Sequence, residues 1–346
     1  MKQKILHVLP ISSGGTHTIL QEIVKGTLDL YDISILIFGE CSDFDIQIQK
    51  NVRIYKFNAS KYSLLTFFKL FRFIKNADIV HVHLFPALYY CAFFSRVYKN
   101  KKFIYTEHAS MNNRRKHGIF RYIEIPIYKC YDSIVAVSKS CEQNLSKWLL
   151  NKVDIKIIYN GINTEKIKQN TNFCFPKINI NSKYIITMVA RLSPDKDFDT
   201  LLNAMSILNN EYHLVLLGDG ELRKHIEKKI VEDNLHDKVS LLGYRTDVYD
   251  ILAASTLSVL SSYAEGFGLV ILESLSLHTP CIGSHVDGIK EILPQSYMFE
   301  LGNKNDLADL IIKAVNHKIE PLPYEKILKA FSAKKMIKAY LELYEK

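Results

Sequence analysis

The most distinctive chemical pattern in the sequence is a pair of carboxylates, Glu265 and Glu273, separated by two glycines and an apolar run. Gly266 and Gly268 free the backbone just before a predicted helix, so the N–H groups of the helix N-terminus can face a phosphate. The apolar run predicts that Glu273 is partly buried and needs a hydroxyl or cationic partner. A pair of sugar or ribose hydroxyls would serve. The glycines disfavour the alternative, an ordinary amphipathic helix with a capping carboxylate.

A second candidate site lies in the charged segment 190–199, directly after the first predicted strand of the second half of the chain. In a doubly wound sheet, this position is the ligand crevice at the carboxyl ends of the strands. Arg191, as a planar fork, and Lys196, as a mobile point charge, are suited to grip a diphosphate. A solvated charge run in which Ser193 or Asp197 caps a helix is an equally open interpretation.

Two patterns raise the possibility of a metal site. The alternating carboxylates of Asp195–Asp199 are one, but a calcium loop starting there needs Gly at its sixth and Glu at its twelfth position, where the chain has Thr200 and Ser206. The other is His81 and His83, which strand alternation sends to one face, with no third ligand at a diagnostic spacing. The sequence therefore predicts no metal site and no cofactor, and His81 and His83 are expected to be a structural pair.

The first half offers two further candidates. The Gly14–Thr16 segment follows the first predicted strand and would let backbone N–H groups approach an anion or a sugar, although a plain turn explains it as well. His108 lies at the end of a predicted strand and before the polar segment Asn112–Lys116, where active-site loops are found. We expect His108 to be functional.

Short apolar runs alternate with amphipathic ones in both halves, which predicts parallel strands with crossover helices. The predicted strands are Ile5–Leu9, Ile33–Phe38, Ile79–His83, Phe103–Thr106 and Ile134–Val137, then Tyr184–Val189, His213–Leu217, Val239–Leu242, Leu257–Leu260 and Thr279–Ile282. Weak periodicity over Thr164–Ser182 predicts a linker. The fold class is therefore α/β, with two doubly wound domains.

Composition narrows the class of protein. The chain has 346 residues, 48% of them hydrophobic, which excludes collagenous, coiled-coil and wholly disordered classes. The longest apolar run, Leu84–Phe94, is too short to cross a bilayer, and the N-terminus lacks a signal peptide, so a cytoplasmic protein is expected. The six cysteines form no C-x-x-C pair and are expected to be reduced thiols.

The net charge of +9 is uneven, because residues 1–163 carry 23 Lys and Arg against 12 Asp and Glu. Within them, Lys61–Lys75 and Asn112–Arg121 combine cations with aromatic residues, which indicates an anionic membrane surface or a nucleic acid. No nucleic-acid-binding motif accompanies these stretches, so no nucleic-acid partner is expected. A helix that packs its Phe side on the sheet is the alternative for Lys61–Lys75.

Taken in order and spacing, these motifs resemble the retaining glycosyltransferases of family 4, which have the two-domain GT-B fold, with two Rossmann-like domains facing each other across a cleft. The likeness rests on Gly14–Thr16, Asp78–His83, Tyr105–His108, Val137–Ser140, Asn160–Asn163, Ala190–Lys196, Gly218–Gly220 and Glu265–Glu273. The resemblance implies an acceptor-side domain over residues 1–168 and a donor domain over 169–327. It also implies a C-terminal helix, about residues 328–346, that packs back on the first domain.

The resemblance also implies roles for individual residues. Arg191 and Lys196 correspond to the diphosphate clamp, Glu273 to the ribose ligand, Glu265 to the carboxylate that orients the donor sugar, and His108 to the first-domain group near the reacting sugar. The implied donor-binding residues are completed by Gly15, Thr16, Gly218, Gly266, Phe267, Gly268 and Leu269. Retention by a same-face displacement is implied by the family alone. Because Arg191, Lys196 and helix N–H groups would stabilise the leaving diphosphate, no divalent metal is expected to be required.

The expected function is the transfer of a hexose or N-acetylhexosamine from a UDP-sugar to a saccharide acceptor in bacterial surface polysaccharide synthesis, of the capsule, exopolysaccharide or lipopolysaccharide type. A lipid-linked or oligosaccharide acceptor and peripheral attachment to the anionic inner membrane surface complete this expectation. Two alternatives stay open. One is a sugar-nucleotide epimerase or other GT-B enzyme, and the other is a non-catalytic basic protein that binds RNA or lipid.

Overall fold

The computed structural model describes residues 2–57, 64–109, 113–172, 180 and 182–345. The chain forms two compact units, residues 1–161 with 333–346 (unit 1) and residues 162–332 (unit 2). The change of unit comes earlier than the expected boundary at residue 168, because helix α7 (Thr164–Gln169) packs against a helix of unit 2. Residues 173–179 and 181 of the expected linker lie outside the described residues.

Unit 1 contains a seven-stranded sheet in the order β3-β2-β1-β4-β5-β6-β7, and every pair of neighbours is parallel. Its strands are β1 (Lys4–Leu9), β2 (Asp32–Ile37), β3 (Arg53–Lys56), β4 (Ile79–His83), β5 (Lys102–Glu107), β6 (Ser133–Ala136) and β7 (Ile155–Ile157). The strand order reverses between β1 and β4. Such a reversal opens a crevice for ligands at the carboxyl ends of the strands.

Helices cover both faces of this sheet. They are α1 (Gly14–Thr27), α2 (Ile46–Asn51), α3 (Leu64–Ile74), α4 (Ala87–Val97), α5 (Phe120–Tyr128), α6 (Lys139–Trp148) and, from the end of the chain, α14 (Ala333–Glu345). One face packs on α3 to α6, through buried residues such as Val82, Leu70 and Phe94. Helix α14 packs on α1, where Gly26 leaves room for Ile337.

Unit 2 repeats the plan with a six-stranded parallel sheet in the order β10-β9-β8-β11-β12-β13. Its strands are β8 (Tyr184–Val189), β9 (Tyr212–Leu217), β10 (Val239–Gly243), β11 (Leu257–Leu260), β12 (Cys281–Ser284) and β13 (Met298–Phe299). Besides α7, its helices are α8 (Phe198–Ile207), α9 (Arg223–Glu232), α10 (Val248–Ala254), α11 (Leu269–Ser276), α12 (Lys304–Val315) and α13 (Tyr324–Ala330). Here the order reverses between β8 and β11.

Both units have the parallel sheet and crossover helices of a Rossmann-like domain, as the sequence predicts. The described helices include none that is long and apolar enough to cross a bilayer.

Candidate active site

In unit 2 the two charged motifs of the sequence follow adjacent strands. The segment 190–199 leaves β8 and the segment 261–268 leaves β11, on either side of the reversal in strand order. Their backbones then pair, with Asp197 N donating to Ser261 O at 3.0 Å and Tyr263 N donating to Asp195 O at 2.9 Å. Lys196 and Glu265 are 69 residues apart in the sequence, and the sheet topology brings them together at the carboxyl edge of the sheet.

Lys196 is the cationic centre of this edge. Its Nζ lies 2.9 Å from Glu265 Oε1 and 2.5 Å from Asp195 Oδ2, and its side chain is only 12% exposed. Ser262 Oγ also donates to Glu265 Oε1, at 2.9 Å. Burial alone would lower the pKa of Lys196, but the two carboxylates outweigh it and raise the pKa. Lys196 is therefore fixed by the two carboxylates and carries a full positive charge.

Arg191 is exposed at the end of β8, and its guanidinium makes no ion pair with any described residue. The loop that carries it is set by two glycines after β9. A Cβ on Gly218, which has a φ of +131°, would lie 1.9 Å from Ala190 O, and one on Gly220 would lie 2.4 Å from Leu192 O. The resemblance implies a donor-binding role for Gly218, and the structure shows that Gly218 lets the Arg191 loop pack closely.

The N-terminus of α11 faces the same edge. Gly268 is its N-cap, with a φ of +86°, and Leu269 is its first residue. Phe267 is 3% exposed and its ring packs edge-on against Phe331 at 5.2 Å between centroids, so its side chain is not available to a ligand. The loop before the helix, which includes Gly266, thus places a buried aromatic anchor directly before the first-turn N–H groups of α11, where an anion is stabilised.

Glu273 lies on the second turn of α11 and is half-buried. Loss of hydration raises the pKa of its carboxyl group to about 7. The hydroxyl or cationic partner expected from the sequence is not among the described residues, since no hydrogen bond or ion pair of this carboxylate joins it to any of them. A half-buried carboxylate without a protein partner among these residues is suited to accept hydrogen bonds from a ligand's hydroxyl groups.

The three alternating aspartates do not converge. Asp195 bonds Lys196 and Ser193, whereas Asp197 accepts from Thr200 N at 3.1 Å and caps α8. Asp199 pairs instead with His225 Nε2 at 2.8 Å. Each of the three carboxylates therefore has different partners.

In unit 1 the glycine pair opens helix α1. Ser13 is the N-cap, and Gly15 and Thr16 lie in the first turn, where Gly15 is exposed. Ser12 Oγ and His17 Nδ1, 2.8 Å apart, fix the start of this helix. Its first N–H groups therefore lie at the carboxyl edge of the sheet, next to the reversal in strand order.

His108 follows β5 and is linked to the sheet interior by two other histidines. Its Nε2 lies 3.0 Å from His83 Nδ1, and His83 Nε2 lies 3.2 Å from His7 Nδ1. Burial lowers the pKa of His108 to about 4 and that of His7 to about 3, so both imidazoles are neutral at physiological pH. His7 was not identified from the sequence.

His81 lies beside this chain of imidazoles with its own partners. Its Nδ1 lies 2.7 Å from Tyr344 Oη on α14, and its Nε2 lies 2.8 Å from Thr106 Oγ1. His7, His81 and His83 could together approach a metal ion, but five of their six ring nitrogens are already hydrogen-bonded, leaving His7 Nε2. The expected His81–His83 pair is therefore a ring contact, 4.1 Å between centroids, and each of the two imidazoles has its own hydrogen-bond partners.

The basic stretch Asn112–Arg121 has mainly internal roles, contrary to the surface expected for it. Arg114 Nε donates to the buried Glu124 at 2.7 Å and its guanidinium stacks on Phe85, and Arg115 donates to Glu107 at 2.7 Å. Arg121 lies over the Trp148 ring. Because buried carboxylates pair with Arg114 and Arg115, these two cations are unavailable to a membrane. Residues 110–112 lie outside the described residues.

The stretch Lys61–Lys75 divides its aromatic residues between core and surface. Phe67 and Phe73 pack inwards, whereas Phe68 is 68% exposed and Phe71 is 45% exposed. Part of this helix therefore packs its Phe side inwards, as the alternative interpretation expects, and Phe68 and Phe71 stay exposed. Residues 58–63 lie outside the described residues.

Sequence reasoning missed several residues that shape both edges. In unit 2, a Cβ on Gly288 would lie 2.6 Å from Glu265 O, and Ser262 bonds Glu265 directly. In unit 1, His7 and Glu107 hold His83 and Arg115. A signal was available for Ser262 and His7, because both lie in or directly after a strand beside the reversal in strand order.

Comparison with known proteins agrees with this arrangement. The family described as "Glycosyltransferase Family 4" matches residues 13–166, and "Glycosyl transferases group 1" matches residues 170–331. An Escherichia coli relative, UDP-Gal:alpha-D-GlcNAc-diphosphoundecaprenol alpha-1,3-galactosyltransferase, is 27% identical over 99% of this chain and 97% of its own. N-acetyl-alpha-D-glucosaminyl L-malate synthase of Bacillus anthracis is 26% identical over 78% of this chain and 75% of its own.

Among solved structures, Anabaena HepE in complex with UDP and glucose superposes with a TM-score of 0.81 at 18% identity, covering 99% of both chains. Two Rossmann-like units of this kind define the GT-B fold, and the matches define a glycosyltransferase. The chain belongs to glycosyltransferase family 4.

Proposed function

We propose that the chain transfers a sugar, with retention of configuration, from a UDP-sugar to a hydroxyl group of a lipid-linked or oligosaccharide acceptor in bacterial surface polysaccharide synthesis. The observation that carries this proposal is the edge of unit 2, where Lys196, Arg191 and the N-terminus of α11 adjoin two carboxylates. The name of the E. coli relative, which specifies a UDP-sugar and a diphosphoundecaprenol-linked acceptor, supports the choice of substrates.

The proposed chemistry follows from the charges. The bond between C1 of the sugar and the phosphate oxygen breaks, its electron pair leaves with UDP, and the acceptor oxygen bonds to C1 on the same face. The acceptor proton passes to the departing phosphate. Arg191, Lys196 and the α11 N–H groups stabilise the negative charge that grows on the diphosphate. Since these groups supply positive charge, we propose that the reaction requires no divalent metal.

The carboxylates have separate parts in the proposal. Glu265, held by Lys196 and Ser262, accepts hydrogen bonds from the donor sugar, and Glu273 accepts them from the ribose. When the diphosphate binds, it takes over part of the charge interaction that Lys196 makes with Glu265 and Asp195 in the free protein. Glu265 is then free to turn towards the sugar.

A thermal-shift panel of UDP, GDP and ADP tests the donor site. A ligand that binds only the folded state raises the melting temperature by mass action. We expect UDP to give the largest shift and Lys196→Ala to abolish it. Lys228→Ala, on the exposed face of α9, is the matched control and keeps the shift. No shift with any nucleotide would contradict the proposal.

The acceptor is proposed to be lipid-linked because unit 1 carries an apolar, cationic surface. On α3 and α4, Phe68, Phe71, Phe93 and Val97 are exposed, and the Phe67 ring joins the two helices, 5.8 Å from Phe68 and 5.2 Å from Phe93. The exposed cations Arg72 and Arg96 lie on the same helices, which contain no Asp or Glu. We propose that this α3–α4 surface contacts an anionic bilayer, where each cation contributes about 1 kcal/mol.

Sedimentation with phospholipid vesicles tests the surface. We expect binding to anionic vesicles that weakens with salt and exceeds binding to zwitterionic ones, and we expect Phe68→Ser with Arg72→Glu to reduce it strongly. Val231→Ser replaces an equally exposed apolar residue in unit 2 and is the control. Equal binding to both vesicle types would refute the membrane proposal and favour a soluble acceptor, like the malate in the name of the B. anthracis relative.

A further inference from the structure

The hydrogen-bonded imidazoles of His7, His83 and His108 cross the sheet of unit 1 diagonally. His7 lies on β1, His83 on β4 and His108 after β5, and these strands are neighbours in the sheet. His7 is paired with His81 in the register, so His83 lies two residues nearer to the carboxyl edge, and His108 lies two residues beyond the register partner of His83. The three imidazoles thus connect the interior to the edge where ligands bind.

The two hydrogen bonds that join His7, His83 and His108 must point in the same direction along the row of imidazoles. A neutral imidazole has one N–H and one lone pair, so if His83 donates through one nitrogen, it accepts through the other. Either the hydrogens point inward, from His108 to His83 to His7, or they point outward, from His7 to His83 to His108. No mixture satisfies both contacts while all three rings are neutral.

His7, the innermost of the three imidazoles, decides between the two directions. His7 Nε2 is fully buried and has no hydrogen-bond partner among the residues that the structure describes. In the inward arrangement this atom carries a hydrogen with no acceptor, and in the outward arrangement it is a bare lone pair. Buried N–H groups without an acceptor are rarer than buried acceptors without a donor, so the outward arrangement is favoured.

We propose that His83, itself held by His7, is a positioning residue that fixes His108 as a neutral hydrogen-bond donor through Nδ1. In the outward arrangement, His108 Nε2 accepts from His83, and the single hydrogen of the ring lies on Nδ1. His108 then donates to an oxygen of the substrate and does not act as a general base. The partner of Nδ1 rests on the proposed function, which makes it a sugar hydroxyl or phosphate oxygen, whereas the position of the hydrogen does not.

Nitrogen-15 NMR of histidine-labelled protein tests the position of the hydrogen without any substrate. The signals of His108 are those that disappear in His108→Asn. We expect the protonated-type shift on Nδ1 and the unprotonated-type shift on Nε2. The reverse assignment would overturn the proposal, and so would the binding of one Zn²⁺ per chain by His7, His81 and His83, because a metal takes the lone pairs that the chain of hydrogen bonds needs.

Two substitutions of His83 separate positioning from packing. His83→Phe keeps a ring but removes the donor, and His83→Asn keeps an amide N–H near the place of Nδ1. We expect His83→Phe to lower kcat about 5- to 10-fold, the value of roughly one hydrogen bond, with the donor KM nearly unchanged, and His83→Asn to recover most of the rate. Equal losses in both variants would overturn the positioning role.

His81→Asn is the matched control, since His81 bonds Tyr344 and Thr106 and makes no hydrogen bond to His108. It is expected to lower the melting temperature but to leave the His108 signals in place. The NMR result also separates the two proposals. If UDP fails to bind the wild-type protein while Nδ1 of His108 is protonated, the proposed function fails and the assignment of the hydrogen stands.

Discussion

The carboxyl group of Glu273 links nucleotide binding to pH. Its pKa of about 7 means that half of the molecules carry a neutral acid at neutral pH. If the ionised form binds the ribose, the dissociation constant for UDP varies as one plus the ratio of protonated to ionised carboxyl. That factor is about 11 at pH 6 and about 1.1 at pH 8, so UDP binds about ten times more tightly at pH 8.

Glu273→Gln isolates this effect from the ionisation of the UDP phosphate, which is the same for both proteins. Replacing a charged acceptor by a neutral one weakens binding about tenfold at pH 8. At pH 6 the wild-type group is itself mostly neutral, so the two proteins bind UDP about equally. Isothermal titration calorimetry at both pH values measures this. A ratio of affinities that does not change between pH 6 and pH 8 would refute the reasoning.

The same carboxyl group should also make folding stability depend on pH, but here stability falls as the pH rises, whereas nucleotide binding tightens. The folded protein holds this proton more tightly than the unfolded chain, where the pKa is near 4.5, so stability falls as the pH rises from about 4 to above 7. At pH 8 the loss is at most about 3 kcal/mol. Glu273→Gln is therefore expected to melt at a higher temperature than the wild type at pH 8 without nucleotide, while binding UDP more weakly.

Three further predictions concern the proposed diphosphate site. Arg191→Ala and Lys196→Ala should each lower turnover about 100-fold or more, because both meet charge that grows in the transition state, and near-normal rates in a coupled assay for UDP release would contradict the assignment. Transfer should persist in excess chelator, and complete loss restored by Mg²⁺ or Mn²⁺ would indicate a metal-dependent reaction. Gly218→Ala should weaken UDP binding in calorimetry, because the new Cβ would lie 1.9 Å from Ala190 O. Gly118→Ala, where a Cβ meets open space, is the control and should not weaken binding. Equal affinities of Gly218→Ala and the wild type for UDP would show that the loop tolerates the change.

The sequence predicted the strands that are buried on both faces. Ile79–His83, Tyr184–Val189 and Leu257–Leu260 have the predicted bounds, because a continuous apolar run marks a central strand of a parallel sheet. Of the edge strands, β10 was predicted, whereas β3, β7 and the two-residue β13 were missed. The missed strands have two to four residues, too few to form such a run, and β3 and β7 are also partly exposed.

In the candidate site, too, the features that depend on neighbouring residues could be predicted, whereas contacts between residues far apart in the sequence could not. Arg191, Lys196, Glu265 and Glu273 were identified because each lies beside a strand end or a glycine turn. The contact between Lys196 and Glu265, and the chain from His7 to His108, depend on strand order. The burial of Arg114 and Arg115 depends on carboxylates brought in by other elements, which the composition of a basic stretch cannot reveal.

A crystal structure of the full chain with UDP is the most direct test of the central claim. It is predicted to contain the diphosphate at the N-terminus of α11, within hydrogen-bond distance of Lys196 and Arg191, and the ribose hydroxyls on Glu273. UDP bound away from the carboxyl ends of β8 and β11, with Lys196 still paired to Glu265, would contradict the account.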